Sequence, residues 1–221
     1  MRLGAGGLVV KSGSTDLRLG QLYSAGDVTV GRLVVPGAVT INLAGSDLRS
    51  TAVDIAPPGR LTIRTSNGDA ALGSLSASAG GGSLLVDAGQ GSVSLASASM
   101  SGPAIATVDI TAGGGTLGPL RVAGDIDVTS TASSGAGPVI AGLGSVGGDI
   151  RLSGSKLSLS GTVATPGLVT VSADMAVSGT AGVLRAADVI LTGCDHARDR
   201  LLGPHGRSLR PLLRHHLGRR W

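Results

Sequence analysis

Short stretches in which apolar and polar residues alternate recur along most of the chain. GDVTV (26–30), GAVTI (37–41), GRLTI (59–63), GSLLV (82–86), GSVSL (91–95), ATVDI (106–110), GDIDV (124–128), GDIRL (148–152), GLVTV (167–171) and ADVIL (187–191) share one form. Each opens on a small or turn-forming residue and continues apolar–polar–apolar. A side-chain period of two is that of a strand with one buried face. It predicts Val28 and Val30 inward with Thr29 outward, Val108 and Ile110 inward with Asp109 outward, and Ile150 and Leu152 inward with Arg151 outward. Weaker strand signals lie between these, in LGSLSAS (72–78), GPLRVAG (118–124), KLSLSG (156–161) and MAVSG (175–179).

One subset of the strands is evenly spaced. GAVTI begins at position 37, GRLTI at 59, GSLLV at 82, ATVDI at 106, GDIDV at 124, GDIRL at 148, GLVTV at 167 and ADVIL at 187. Near-constant steps of this length mark solenoids, and a unit with no helical periodicity predicts the parallel β form. The expected fold is all-β: a single-stranded parallel β-helix, or β-solenoid, over residues 1–193, with an irregular tail over 194–221. Roughly eight or nine coils stacked one strand spacing apart make a rod on the order of 40 Å long. A β-sandwich would use hairpins and irregular spacing. The body has one Asn-Gly pair, Asn67-Gly68, and it falls inside a proposed coil.

Composition narrows the core. The chain of 221 residues has no Phe, one Tyr (Tyr23), one Trp (Trp221) and 38 Gly. Its interior is therefore thin and filled by Val, Leu, Ile and Ala rather than by aromatics. Glu is absent, and Asp favours turns where Glu favours helices, which argues against helix.

Charge is divided unevenly. Up to Thr192 there are 11 Lys and Arg against 12 Asp, whereas from Gly193 onward there are 7 Arg against 2 Asp. The overall +4 thus describes the tail, and the body gives no reason to expect a nucleic-acid partner. One Cys excludes an internal disulfide framework and an all-Cys metal site. No run of 18 apolar residues predicts a membrane span, and MRLGAGGLVV does not read as a signal peptide.

In repeat style, SLSASAGGGSLLVDAGQGSVSLASA (74–98) and GLGSVGGDIRLSGSKLSLSGTVATPGLVTVSADMAVSGTAGVLRAADVILTG (142–193) resemble filamentous haemagglutinin-like exoproteins and autotransporter passengers of Gram-negative bacteria. The resemblance covers about residues 7–193. It implies a right-handed parallel β-helix exported by two-partner secretion through an outer-membrane pore, placed at the cell surface or outside the cell. Such a protein serves adhesion or biofilm formation, with a host or bacterial cell surface or its glycans as partner. The family's secretion domain is not in this sequence, so the chain reads as an internal fragment of a larger open reading frame.

Catalytic chemistry is sparse. No His precedes His196, no Cys precedes Cys194, and no GxSxG occurs, so the many Ser and Thr have no candidate base. Lys11 and Lys156 are the two lysines, neither beside a recognisable nucleophile motif. The best acidic cluster is Asp125, Asp127 and Asp149 near Arg151, with Asp149 stacked one coil above Asp125. It is the place a polysaccharide lyase or glycoside hydrolase would put its acids. Against that, Asp27, Asp69, Asp125 and Asp149 each follow a Gly and read as turn residues, while Asp54, Asp109 and Asp127 read as outward strand positions.

The stretch Gly142-Leu143-Gly144-Ser145-Val146-Gly147 satisfies GxGxxG, but a strand follows it instead of a helix, so it reads as a bend. An outward row of Thr29, Thr40, Thr62, Ser94, Asp109, Asp127, Arg151 and Thr170 is too mixed for a repetitive binding face.

In the tail, Cys194, His196, His205, His215 and His216 match no zinc spacing. Its Leu positions are interrupted by Pro204, Gly206 and Pro211. The abrupt switch to Arg, His, Leu, Pro and Gly reads as off-frame sequence or a degenerate end. The expectation is therefore a non-enzymatic adhesive rod with no catalytic, cofactor or metal site. A polysaccharide-active β-helix is the alternative.

Overall fold

The computed structural model describes residues 1–10, 16–18, 20–77, 81–98, 104–133, 137–143, 145–177 and 183–192. The tail, with Cys194, His196, His205, His215 and His216, lies outside these residues, as do Lys11 and Gly144. The described chain is all β, without helices, and winds into a parallel β-solenoid of about seven turns. The spacing predicts eight or nine. The step from coil to coil varies: Ala38 pairs with Arg60, Arg60 with Ser83 and Ser83 with Thr107, whereas Leu168 pairs with Asp188.

The evenly spaced subset forms one face, here the first. Its strands are Gln21–Ser24, Ala38–Leu43, Arg60–Arg64, Ser83–Asp87, Thr107–Ala112, Ile126–Ser130, the opening halves of Ile150–Leu159 and Leu168–Val177, and finally Asp188–Leu191. Every pairing along it is parallel. The register sets Leu22, Ile41, Ile63, Val86, Ile110, Val128, Leu152 and Val171 in one inward column, all fully or almost fully buried. A second inward column runs Val39, Leu61, Leu84, Val108, Ile126, Ile150 and Val169. Burying each such side chain contributes about 1.5–3 kcal/mol. Stacking like on like fills a thin interior without aromatics.

The second face comprises Val28–Val35, Leu48–Ile55, Ala70–Ala77, Ser92–Ala98, Gly114–Leu117 and Val139–Ile140. In its early strands the inward positions change parity midway. Val28 and Val30 are buried, and then Leu33 and Val35. The change falls at Gly31, where the strand turns a corner; pairing skips this residue and resumes in the same register at Arg32. In later coils the third side is separate and short: Arg121–Val122 pairs Ser145–Val146, and Thr162–Ala164 pairs Val183–Arg185.

Candidate functional site

The recurrent Gly-Asp pairs do a structural job that can be read bond by bond. The Asp47 N–H donates to Asp27 Oδ1 at 3.0 Å, the Asp69 N–H to Asp47 Oδ1 at 2.9 Å, and the Ser92 N–H to Asp69 Oδ1 at 2.8 Å. The backbone bond runs the other way, with Val28 N–H on Asp47 O and Leu48 N–H on Asp69 O, both at 2.8 Å. Each Asp side chain thus holds the turn of the next coil in place. The preceding Gly lets the turns nest: a Cβ on Gly68 would run into the Ser46 carbonyl oxygen. Asp125 and Asp149 repeat the device at a different corner, accepting from Asp149 N–H at 2.8 Å and Leu168 N–H at 3.0 Å.

The acidic cluster is built on this second ladder. Strands Ile126–Ser130 and Ile150–Leu159 lie side by side in register, Asp127 opposite Arg151. Arg151 reaches Asp125 Oδ2 at 3.6 Å, Asp127 Oδ2 at 3.5 Å and Asp149 Oδ2 at 3.5 Å. All three carboxylates therefore converge on Arg151, as their spacing predicts. The four side chains keep 37–49% of their surface exposed. In Asp125 and Asp149 both oxygens are engaged, Oδ1 by a backbone N–H of the next coil and Oδ2 by Arg151. A general acid must hold a titrating carboxyl within hydrogen-bond reach of the bond it cleaves. These groups stand on an open face, tied to the coil and to a permanent cation. One coil below Asp127 is Asp109, an exposed neighbour in register. Partial desolvation of its carboxyl by the surrounding strands nevertheless lifts its pKa above the ordinary 3.8, and the nearby Asp127 and Asp87 charges add to the rise.

The predicted outward row is divided between two faces. Thr40, Thr62, Asp109, Asp127, Arg151 and Thr170 do share one register column of the first face, with Leu85 between Thr62 and Asp109. Thr29 and Ser94 belong to the second face. The correction has a simple cause: alternation assigns a residue to outside or inside but says nothing about which side of the coil its strand occupies.

The described residues of the GxGxxG stretch form strand pairings followed by a bend. Ser145–Val146 pairs Arg121–Val122, Leu143 bridges Val163, and a Cβ on Gly147 would meet the Ala123 carbonyl. Lys156 stands exposed on the strand leading into the second face, and its N–H donates to Ser130 Oγ at 3.4 Å. Among the described residues no group of three His, Cys, Asp or Glu is placed to hold a metal ion. Nor do those residues form a helix long and apolar enough to cross a membrane.

Alternation does not predict the open cavity of about 420 Å³ near the first coils, lined by residues including Arg2, Tyr23, Asn42 and Ser66. The Arg2 guanidinium lies 5.6 Å from the centre of the Tyr23 ring. The signal available in the sequence is that Tyr23 is the chain's one tyrosine. No protein-family model, no curated protein and no solved structure matches this chain.

Proposed function

We propose that this β-solenoid is a stretch of an exported bacterial adhesin of the filamentous haemagglutinin-like kind. In this reading it is a non-catalytic rod that displays surface away from the cell and engages a cell surface or its glycans. The parent protein would leave through an outer-membrane pore and act outside the cell. The observation that carries the reading is the use made of its acids. The Asp residues that follow a turn Gly or Ser bond the next coil's backbone, so the residues with most chemical potential are spent on holding the rod together. The repeat style described above supplies the exported setting.

The convergence of three carboxylates on Arg151 favours one rival, a polysaccharide-active enzyme. A paired experiment separates the two. Beads coated with the full chain are tested for retention on bacterial and epithelial cells, and the same protein is incubated with a panel of acidic and neutral polysaccharides. Retention without release of reducing ends or unsaturated sugars is the expected result. Saccharide release that disappears in Arg151→Ala would overturn it.

A further inference from the structure

The first face is parallel and continuous, and its charges are sorted by position along the rod. In the early coils its outward side chains are Gln21, Tyr23, Thr40, Asn42, Arg60, Thr62 and Arg64, with Arg2 stacked on Tyr23. Among the described residues no carboxylate faces outward there. From Ser83–Asp87 onward come Asp87, Asp109, Asp125, Asp127 and Asp149, with Arg151 the cation set among them. Between the two halves sits Leu85, an apolar outward residue in the column Thr62–Leu85–Asp109.

We propose that this face pairs with the same face of a second copy, the two rods running antiparallel about a two-fold axis at Leu85. An axis along the strand direction keeps each residue's place across the face and reverses its place along the rod. Leu85 then meets Leu85. Asp87 also meets its copy, with Arg64 one coil away in each chain. Strand Arg60–Arg64 of each copy lies over Thr107–Ala112 of the other, so Arg60 and Arg64 straddle the partner's Asp109. One coil further out, Thr40 and Asn42 lie over Asp127 and Thr129. The polar early half and the acidic later half are then complementary twice over, as a self-complementary interface requires. Parallel rods would set like charges against like. The pairing also supplies two cations to Asp109, whose carboxylate has no cation partner among the described residues of its own chain. The inference stands apart from the adhesin reading, because it needs only the charge order of this face.

An interface this polar is weak and sensitive to salt. Sedimentation velocity of the full chain should show concentration-dependent dimers at about 20 mM salt and monomers at about 500 mM, where screening is nearly complete beyond the first few ångströms. R60D/R64D and, separately, D109R should each be monomeric at low salt while keeping the wild-type far-UV circular dichroism. Mixing the two variants should restore the dimer, since the reversed charges complement across both halves. Three outcomes would overturn the proposal. They are a monomeric wild type at low salt, dimers that survive R60D/R64D, and a mixture of the folded variants that stays monomeric. Salt-sensitive association that survives R60D/R64D but is lost when the tail arginines from Arg198 to Arg220 are changed to Gln would assign the acidic half to the basic tail instead.

Discussion

The coils before Gly114 and those after it build the same rod with different corners. In the earlier coils, strands such as Leu48–Ile55 turn from one side to the next within one strand, whose register is the same on both sides of the corner, and the Asp27–Asp47–Asp69 series guards the entry to the second face. In the later coils the third side is a separate short pairing, and Asp125 and Asp149 guard the entry to the first face. What stays constant is the first face, whose register runs through both regions. The lesson is that the aliphatic column sets the fold, while corners and their carboxylates are exchangeable parts.

If so, core truncations should cost the same in both regions. Ile63→Ala and Leu152→Ala, in one buried column, should each lose about 2–5 kcal/mol in chemical denaturation. A loss in one region with none in the other would mean that the halves unfold independently. At the boundary, Gly115 has a φ of 103°, and an added Cβ would meet the Val93 carbonyl. Gly115→Ala should cost about 2–3 kcal/mol. Gly142→Ala should cost less, because its nearest neighbour would be 3.4 Å away.

The two carboxylate ladders should respond alike to one change and differently to another. Asp69→Ala and Asp149→Ala each strand a backbone N–H of the next coil, and each should cost about 1 kcal/mol at these exposed corners. The Asn variants keep the accepting oxygen and should recover most of that loss. Raising salt should weaken only the Asp149 site further, because Arg151 is paired there and no cation pairs with Asp69 among the described residues. Thermal melts at two ionic strengths read both effects.

The smallest effect concerns pH. The folded-state pKa of Asp109 is raised, so the folded chain binds that proton more tightly than the unfolded one. Its ionised form is a penalty at neutral pH, and the penalty fades as pH falls through the raised pKa towards 3.8. Asp109→Asn should therefore stabilise the rod at neutral pH and make no difference below pH 3.8, as followed by denaturation at each pH. A gain that grows on acidification would contradict the assignment.

Much of this was legible in the sequence. The spacing of GAVTI, GRLTI, GSLLV and the segments after them is the spacing of the first face, because residues one coil apart must pair in register. Alternation placed Val108 and Ile110 inward and Arg151 outward, and the turn position of Asp125 and Asp149 followed from the Gly before each. The stapling role of those Asp side chains was not legible. A Gly-Asp pair predicts a turn, but the carboxylate's partner is a backbone N–H a full coil further along the chain, as Ser92 is from Asp69. Only stacking brings the two together. The cavity at Tyr23 was hidden for a related reason, since Arg2, Asn42 and Ser66 come from different coils.

The sequence by itself therefore determined the class of fold, its repeat and its aliphatic interior, since period two and near-constant spacing leave a parallel solenoid as the arrangement that pairs every strand. Tertiary structure alone decided which outward residues share a face. Thr29 and Thr40 read identically along the chain, yet they lie on different sides of the rod. Corners, not strands, assign each segment to a side, and a corner's angle depends on how Gly and Asp nest against the coil below. The sorting of charge along the first face exists only after that assignment, when residues a full coil apart in the chain become neighbours.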